Sequence, residues 1–386
     1  MSFLKDYMDD HRNCLYPTAE VKIKNKKWSS DDIYITNVDI LSSVNGEAST
    51  CEVTLALLSA EYKDKKLKLH SDFSQVKVGV ELEVSLGYLV DEKSETEKVF
   101  RGYISAFEIE LDDKGRATLN IQGMDAKMWM MASRKTELKK DIKKYSVVVN
   151  NVCGKYSGKL KGKEVDINGE VEFESPIYQR NESDFDFLNR ISVLTGSLFF
   201  ISLGKLYFVS PSSLNSSKLK IKSMEAILNL RMCASVWGIP KVVKVVGVDQ
   251  KDRNTLIEAQ ATNSDGIGDG KSATSLTSNI SETNTITIID NTITSVNEAK
   301  FLAEAIYNRR ELNLAEVKME TVGCPEVELG SKVVLDNFGD PIDNDYIISG
   351  IEHHCVLDRA TPGGSKYTSI ITLSTNRFNP QEASFI

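Results

Sequence analysis

Strict alternation of apolar and polar residues recurs near both ends of this chain, and it restricts the fold there to antiparallel β-structure. Ala19-Glu20-Val21-Lys22-Ile23-Lys24 alternates strictly; residues 51–57 and 78–86 do so with small lapses, and residues 100–111 continue the pattern. A period of two buries one face and leaves the other wet, which suits an antiparallel barrel or sandwich. The turn Asp112-Asp113-Lys114-Gly115 joins 100–111 to 117–123 as a hairpin. Residues 1–131 therefore read as one all-β domain.

Residues 132–230 mix the two types and read as a small α+β domain. A helix is expected over 141–156, with Val147, Val148, Val152 and Cys153 on its buried side. A second starts at Ser183, whose hydroxyl can accept from the free amides of the first turn. Asp184 and Asp186 follow where the helix dipole favours negative charge. Phe187, Leu188, Ile191 and Leu194 form its apolar stripe, and Gly196 can take the left-handed conformation that ends it. A hairpin around Gly204 and a short helix at 223–227 complete the segment.

Residues 231–386 return to β-structure. Strands at 241–248 and 255–261 pair across the turn 249–254. Residues 262–284, rich in Ser, Thr, Asn, Gly and Asp, read as an exposed, mobile loop. Ser295 caps a helix over 295–314 with Ala299, Leu302, Ala303, Ala305, Ile306 and Leu312 in its stripe. Strands follow at 316–321, 332–335, 346–352 and 367–373. The order is β, α+β, β. Residues 100–105 and 346–351 hold comparable late positions in the two β segments, as a diverged duplication would place them.

The 386 residues exceed one typical core. A net charge of -8 argues against a general nucleic-acid binder. An acidic surface suits a conduit through which DNA passes without sticking, and it equally serves plain solubility. The lysine-rich stretch 134–163 reads as a solvated face. Six scattered cysteines without a CxxC pair read as free thiols. No apolar run approaches the roughly 20 residues needed to cross a bilayer, and the N-terminus lacks a signal-peptide layout, so synthesis in the cytoplasm is expected.

Candidate chemistry is sparse. Residues 265–272 nearly spell a phosphate loop, but Asp265 stands where Gly is required and a poor helix former follows. Neighbours on a strand point to opposite faces, so His353 and His354 do not share a metal; Cys355 adds one ligand, and His11 and His70 are far off. Asp336, Asp340, Asp343 and Asp345 crowd one turn without EF-hand spacing. Trp28, Trp129 and Trp237 read as core or interface anchors. No buried carboxyl with a raised pKa and no paired nucleophile is evident. The sequence assigns no catalytic, cofactor-binding or metal residue and no cofactor.

The run Asn181-Glu182-Ser183-Asp184-Phe185-Asp186-Phe187-Leu188-Asn189-Arg190 resembles the "ESDFDFLxR" signature of contractile-tail hub proteins. These include phage late-control D proteins, the central hub of long-tailed contractile phages and the N-terminal part of VgrG proteins. In the family's order, residues 99–104 resemble "vFtGyI", 325–333 resemble "pxlxpGdxV", with Leu329 and Ser331 departing, and 346–353 resemble "YxVxxVxH". The resemblance implies a mainly β fold: two tail-tube-like antiparallel barrels, 1–131 and 231–386, joined by the α+β domain 132–230. It implies a homotrimeric ring that adapts the sixfold tail tube to the threefold spike. Tube protein would lie above, spike protein below and baseplate wedge proteins around, with a tape-measure contact in the lumen. No sequence-specific nucleic acid and no membrane segment is implied. The particle would be a virion or a phage-tail-like injection particle. Because VgrG proteins continue into an OB-like domain and a needle, the late-control D type with a separate spike is expected. On it, Asp184 and Asp186 are capping and interface residues. A cell-wall-degrading or carbohydrate-binding protein at the particle tip is the alternative.

Overall fold

The computed structural model describes residues 3–28, 33–57, 61–63, 66–68, 75–113, 116–139, 142–214, 218–223, 225–249, 252, 255–263, 266–278, 284–358, 361 and 363–380. Helix α1 (Phe3–Asp10) leads into β1 (Pro17–Ile23), β2 (Lys26–Lys27), β3 (Ile33–Ser43), β4 (Thr50–Leu57), β5 (Glu61–Lys63) and β6 (Lys66–Lys68). Then come β7 (Glu81–Val90), β8 (Lys93–Leu111), β9 (Ala117–Met124) and the single turn α2 (Lys127–Met130). The middle holds β10 (Arg134–Lys139), α3 (Tyr145–Gly154), β11 (Gly162–Asp166), β12 (Ile177–Ser183), α4 (Asp184–Leu194), β13 (Leu198–Ser202), β14 (Lys205–Val209), β15 (Lys218–Lys222) and β16 (Ile227–Ala234). Next are β17 (Val242–Val248), β18 (Leu256–Ala261), α5 (Ala273–Leu276), β19 (Thr285–Ile289) and α6 (Val296–Glu311). The chain closes with β20 (Ala315–Val322), β21 (Lys332–Asp336), β22 (Asn344–Val356) and β23 (Lys366–Thr375).

The fold is mainly β with antiparallel sheets, as the alternation implied. The two β segments share one 13-stranded sheet, because β22 pairs with β3 across the middle. Its halves repeat. One runs β3-β4-β9-β8-β7-β1, the other β16-β20-β23-β22-β21-β15. Their irregularities coincide. The β8–β9 ladder slips between Ile104 and Ala106, and the β22–β23 ladder between Ile348 and Gly350. The β3–β4 ladder slips between Ile35 and Asn37, and the β16–β20 ladder between Ile227 and Asn229. Gly79 (φ +85°) donates to the Ile104 carbonyl and Gly330 (φ +83°) to that of Ile348, so one left-handed turn enters both halves. Two features break the match: β1 runs antiparallel to β7 while β15 runs parallel to β21, and the β7–β8 ladder slips once more between Val84 and Ser85. Residues 100–105 and 346–351 thus occupy equivalent strands.

Two apolar cores result. The larger lies behind the shared sheet and draws on both halves, from Val21, Leu55 and Leu119 to Met319, Ile348 and Leu373. The second unites α3, α4 and β13–β14 with β17–β18 and α6, through Val148, Phe187, Ile191, Phe199, Val245 and Leu302. The elements spanning 242–311 therefore pack on the middle segment, although in chain order they belong to the third. Gly196 (φ +64°) permits this contact: a Cβ there would stand 2.2 Å from the Ala305 carbonyl oxygen.

Several local expectations change. Val147 is exposed and Val149 buried, because α3 begins at Tyr145 and its stripe is rotated by that start. Ile227 opens β16 instead of ending a helix, and Ala226 takes φ +57°. Within 262–284, residues 266–278 are packed down. Asn344 holds the backbone of Asp269 from both sides, Thr274 bonds the Tyr307 hydroxyl at 2.6 Å, and Ala273 is buried. The capped helices at Ser183 and Ser295 form as expected.

Candidate functional site: an acidic sheet face across the seam

The seam is an antiparallel ladder in which Gly350 faces Ser43, His354 faces Asp39 and Val356 faces Asn37. Directly opposed residues share a face, so one row reads His354, Asp39, Glu52, Gln122. Adjacent rows add Glu352, Leu41 and Thr50 on one side, and Asn37, Thr54, Asn120 and Glu108 on the other. Glu110 extends the face at Thr118. No Lys or Arg occurs in β22, β3, β4, β9 or residues 103–111 of β8. The face is therefore a sheet of carboxylates and neutral polar groups, with a shallow depression of about 360 Å³ at the seam.

Asp39 lies opposite Glu52, an arrangement that costs a few tenths of a kcal/mol without compensation. His354 Nδ1 lies 2.7 Å from Asp39 Oδ1, and Asn37 also bonds Asp39. Lys318 from β20 reaches Glu352 at 2.8 Å. On the reverse face His353 is 3% exposed, with Nδ1 at 2.9 Å from Ser369 Oγ and 3.0 Å from the Tyr367 hydroxyl. Burial, aided by neighbouring His354, pushes its pKa down to about 3. The pair points to opposite faces, as strand geometry required. Cys355 is buried, and His11 hydrogen-bonds the Tyr7 carbonyl at 2.8 Å. His70 lies outside the described residues. Among the described residues no group of three or more His, Cys, Asp or Glu could hold a metal ion.

Two polar clusters fix the second core against this sheet. In the first, Ser183 and Asp186 make a reciprocal capping box at the start of α4. Asp184 is 2% exposed and accepts from Lys135 (2.7 Å), Tyr156 (2.9 Å) and Gln179 (3.0 Å). Burial alone would raise its pKa, but these donors outweigh it and hold the carboxyl below its usual range. Arg190 grips Glu182 with two bonds of 2.7 and 2.9 Å and the Tyr178 carbonyl with a third. The signature residues thus join β10, β12, α3 and α4. Asp184 is an internal strut, not a surface contact.

Sequence reasoning missed the second cluster. Lys127 is fully buried, and its ammonium donates to the carbonyls of Gly46 (3.0 Å), Glu47 (2.6 Å) and Phe199 (3.1 Å). Asp125 beside it accepts from the Ser49 and Lys127 amides. Burial pulls the lysine down to about 8 against the pull of Asp125. This staple ties the β3–β4 loop to β13. A lone Lys before Met-Trp-Met carries no signal of burial.

The near phosphate loop falls apart: Asp265 lies outside the described residues, Lys271 makes an isolated bridge with Phe378, and α5 is a single turn. In the acidic turn Asp343 accepts from the Phe338 amide and Asp336 pairs with Lys220. Trp28 is core, Trp129 packs edge-on against Tyr103, and Trp237 is 93% exposed. Two buried carboxyls with a raised pKa do exist: burial raises Asp125 in the staple, and it raises Glu298. Glu298 is 3% exposed beside a cleft of about 360 Å³ lined by Tyr145, Phe173, Arg190 and Asp290, and burial raises it to about 7. Its only sequence cue was Ser295 three residues before it.

The fold and the seam define the class: a mainly antiparallel β scaffold of the kind found in tail proteins. The family model described as the Alg8 N-terminal domain matches residues 15–356, and the protein belongs to that family. That description names no reaction, substrate or partner. No curated protein matches the sequence. Among solved structures, the chain is similar to the 43 kDa tail protein of prophage MuSo2 from Shewanella oneidensis, with 14% identity and a TM-score of 0.63 over 92% of this chain and 98% of that one. It is similar to a tail protein from Neisseria meningitidis, with 11% identity and a TM-score of 0.62 over 93% and 96%. A type VI secretion component from E. coli, itself described as similar to phage T4 tail proteins gp27 and gp5, matches with 11% identity and a TM-score of 0.57 over 93% and 77%. The tail-protein fold expected from the signature is thus present.

Proposed function

We propose that the protein is the structural central hub of a contractile phage tail or phage-tail-like injection particle. Three copies form a ring that adapts the sixfold tube to the threefold spike. The supporting observation is the repeat of two half-sheets across an unbroken seam whose strands β22, β3, β4 and β9 carry no Lys or Arg. Two equivalent halves per chain turn three copies into six similar positions. An acidic wall lets DNA or a tape-measure protein pass without adsorbing. Tube protein above, spike protein below and wedge proteins around complete the assembly, which forms in the bacterial cytoplasm. The domain division at 131 and 230 and a non-catalytic role belong to the same reading. Co-expression with the neighbouring tube and spike proteins tests it: a co-purifying complex containing three copies of this chain is expected, and failure to bind either would refute the adapter role.

One observation favours a second reading, a cell-wall hydrolase. Glu298 carries its proton to about pH 7 beside Asp290 in an aromatic-walled cleft, as a general acid would. That reading requires peptidoglycan release that Glu298→Gln abolishes; the hub reading requires none from either protein.

A further inference from the structure

This inference rests on the hub reading and names the contact that would close its ring. Within the chain, the exposed edge of one half-sheet is already capped by the other: residues 350–356 of β22 pair with β3. The equivalent edge of the first half is the stretch of β8 after Ile104. There β8 has left β7: the last bonds on that side run from the Ile104 amide to the Val80 carbonyl and from the Gly79 amide to the Ile104 carbonyl, matching Ile348 to Ser331 and Gly330 to Ile348. Among the described residues no other named strand pairs with that edge. The strand equivalent to β3 is β16, which ends the sheet and pairs with β20 alone.

We infer that β8 of one copy pairs antiparallel with β16 of the next copy, in the register that β22 makes with β3. The coincident bulges set that register without adjustment. Gly350 corresponds to Ala106 and Asn37 to Asn229, so the observed pairs translate residue by residue. His354 facing Asp39 becomes Glu110 facing Arg231 of the next copy. An opposite-charge pair thus replaces the one in the seam. Neither Glu110 nor Arg231 makes an ion pair among the described residues, and both are exposed. Glu352 facing Leu41 becomes Glu108 facing the exposed Cys233. Leu230 and Met232 of β16 are half-buried where Val38 and Ile40 of β3 are fully buried, so a covering strand would complete their burial. Trp237, just past the end of β16, is 93% exposed. The contact is head-to-tail, which gives a closed ring when three successive rotations sum to a full turn, and it leaves no open sheet edge at these strands.

Directly opposed residues in an antiparallel pair lie about 4.5–5.5 Å apart at Cα, within disulfide reach. Glu108→Cys should therefore join native Cys233 of the next copy under mild oxidation. A ladder of covalent dimer and trimer is expected on non-reducing gels, with Glu52→Cys, on the same face but remote from the edge, giving none. Glu110→Arg and Arg231→Glu should each dissociate the oligomer, and the double exchange should restore it. An oligomer that persists in native-mass measurements without the specific crosslink, or without rescue by the exchange, overturns the seam and leaves the hub reading standing. A protein that stays monomeric overturns both.

Discussion

His353 offers a worked test of how the seam is built. Its imidazole is neutral, 3% exposed and bonded to Ser369 and Tyr367 on the core side of β22. Its folded-state pKa of about 3 lies below the ordinary value of about 6.5. A depressed folded pKa means that the stability is present above pH 6.5 and is lost as pH falls toward 3, because the unfolded chain takes the proton first. At about 1.4 kcal/mol per pH unit, lowering the pH from 7 to 4.5 costs about 2.5 kcal/mol through this one group. Nothing is deducted for solvent screening, because the ring is buried. Urea unfolding of the wild type and His353→Gln at both pH values isolates the effect, since every other titration cancels in the difference. The variant starts less stable at pH 7, by about 1–2 kcal/mol for imperfectly replaced hydrogen bonds. The gap should then close or invert by pH 4.5. A gap that is the same at both pH values would refute the burial argument.

Further outcomes follow from the same contacts. Lys127→Met should destabilise by about 3–5 kcal/mol in urea unfolding, because it strands three carbonyls and Asp125 in the interior. Glu298 has a raised folded pKa, so its contribution is full below pH 4.5 and lost as pH rises through about 7; Glu298→Gln should flatten that part of the stability profile. Gly196→Ala should lower the melting temperature by several degrees, through positive φ and collision with the Ala305 carbonyl.

The wet-faced strands were legible because alternation is written by burial itself: Val53, Leu55 and Leu57 go in, Glu52 and Thr54 out. Both capped helices were legible because Ser183 and Ser295 are local signals that act within one turn. Strand β10 escaped notice because it is short, largely exposed and paired only to β12. The packing of residues 266–278 escaped because it is made by distant partners, Asn344 and Tyr307, that meet a polar segment only after folding. The duplication was faint in residue identity. It is plain in the coincident bulges and the two positive-φ glycines, which report backbone geometry that many side chains satisfy.

A ring of three copies with six similar half-sheets is open to native mass measurement combined with electron-microscopic class averages. One species at three times the chain mass is expected, with threefold projections showing six similar lobes around an open centre. A monodisperse monomer at high concentration would contradict it.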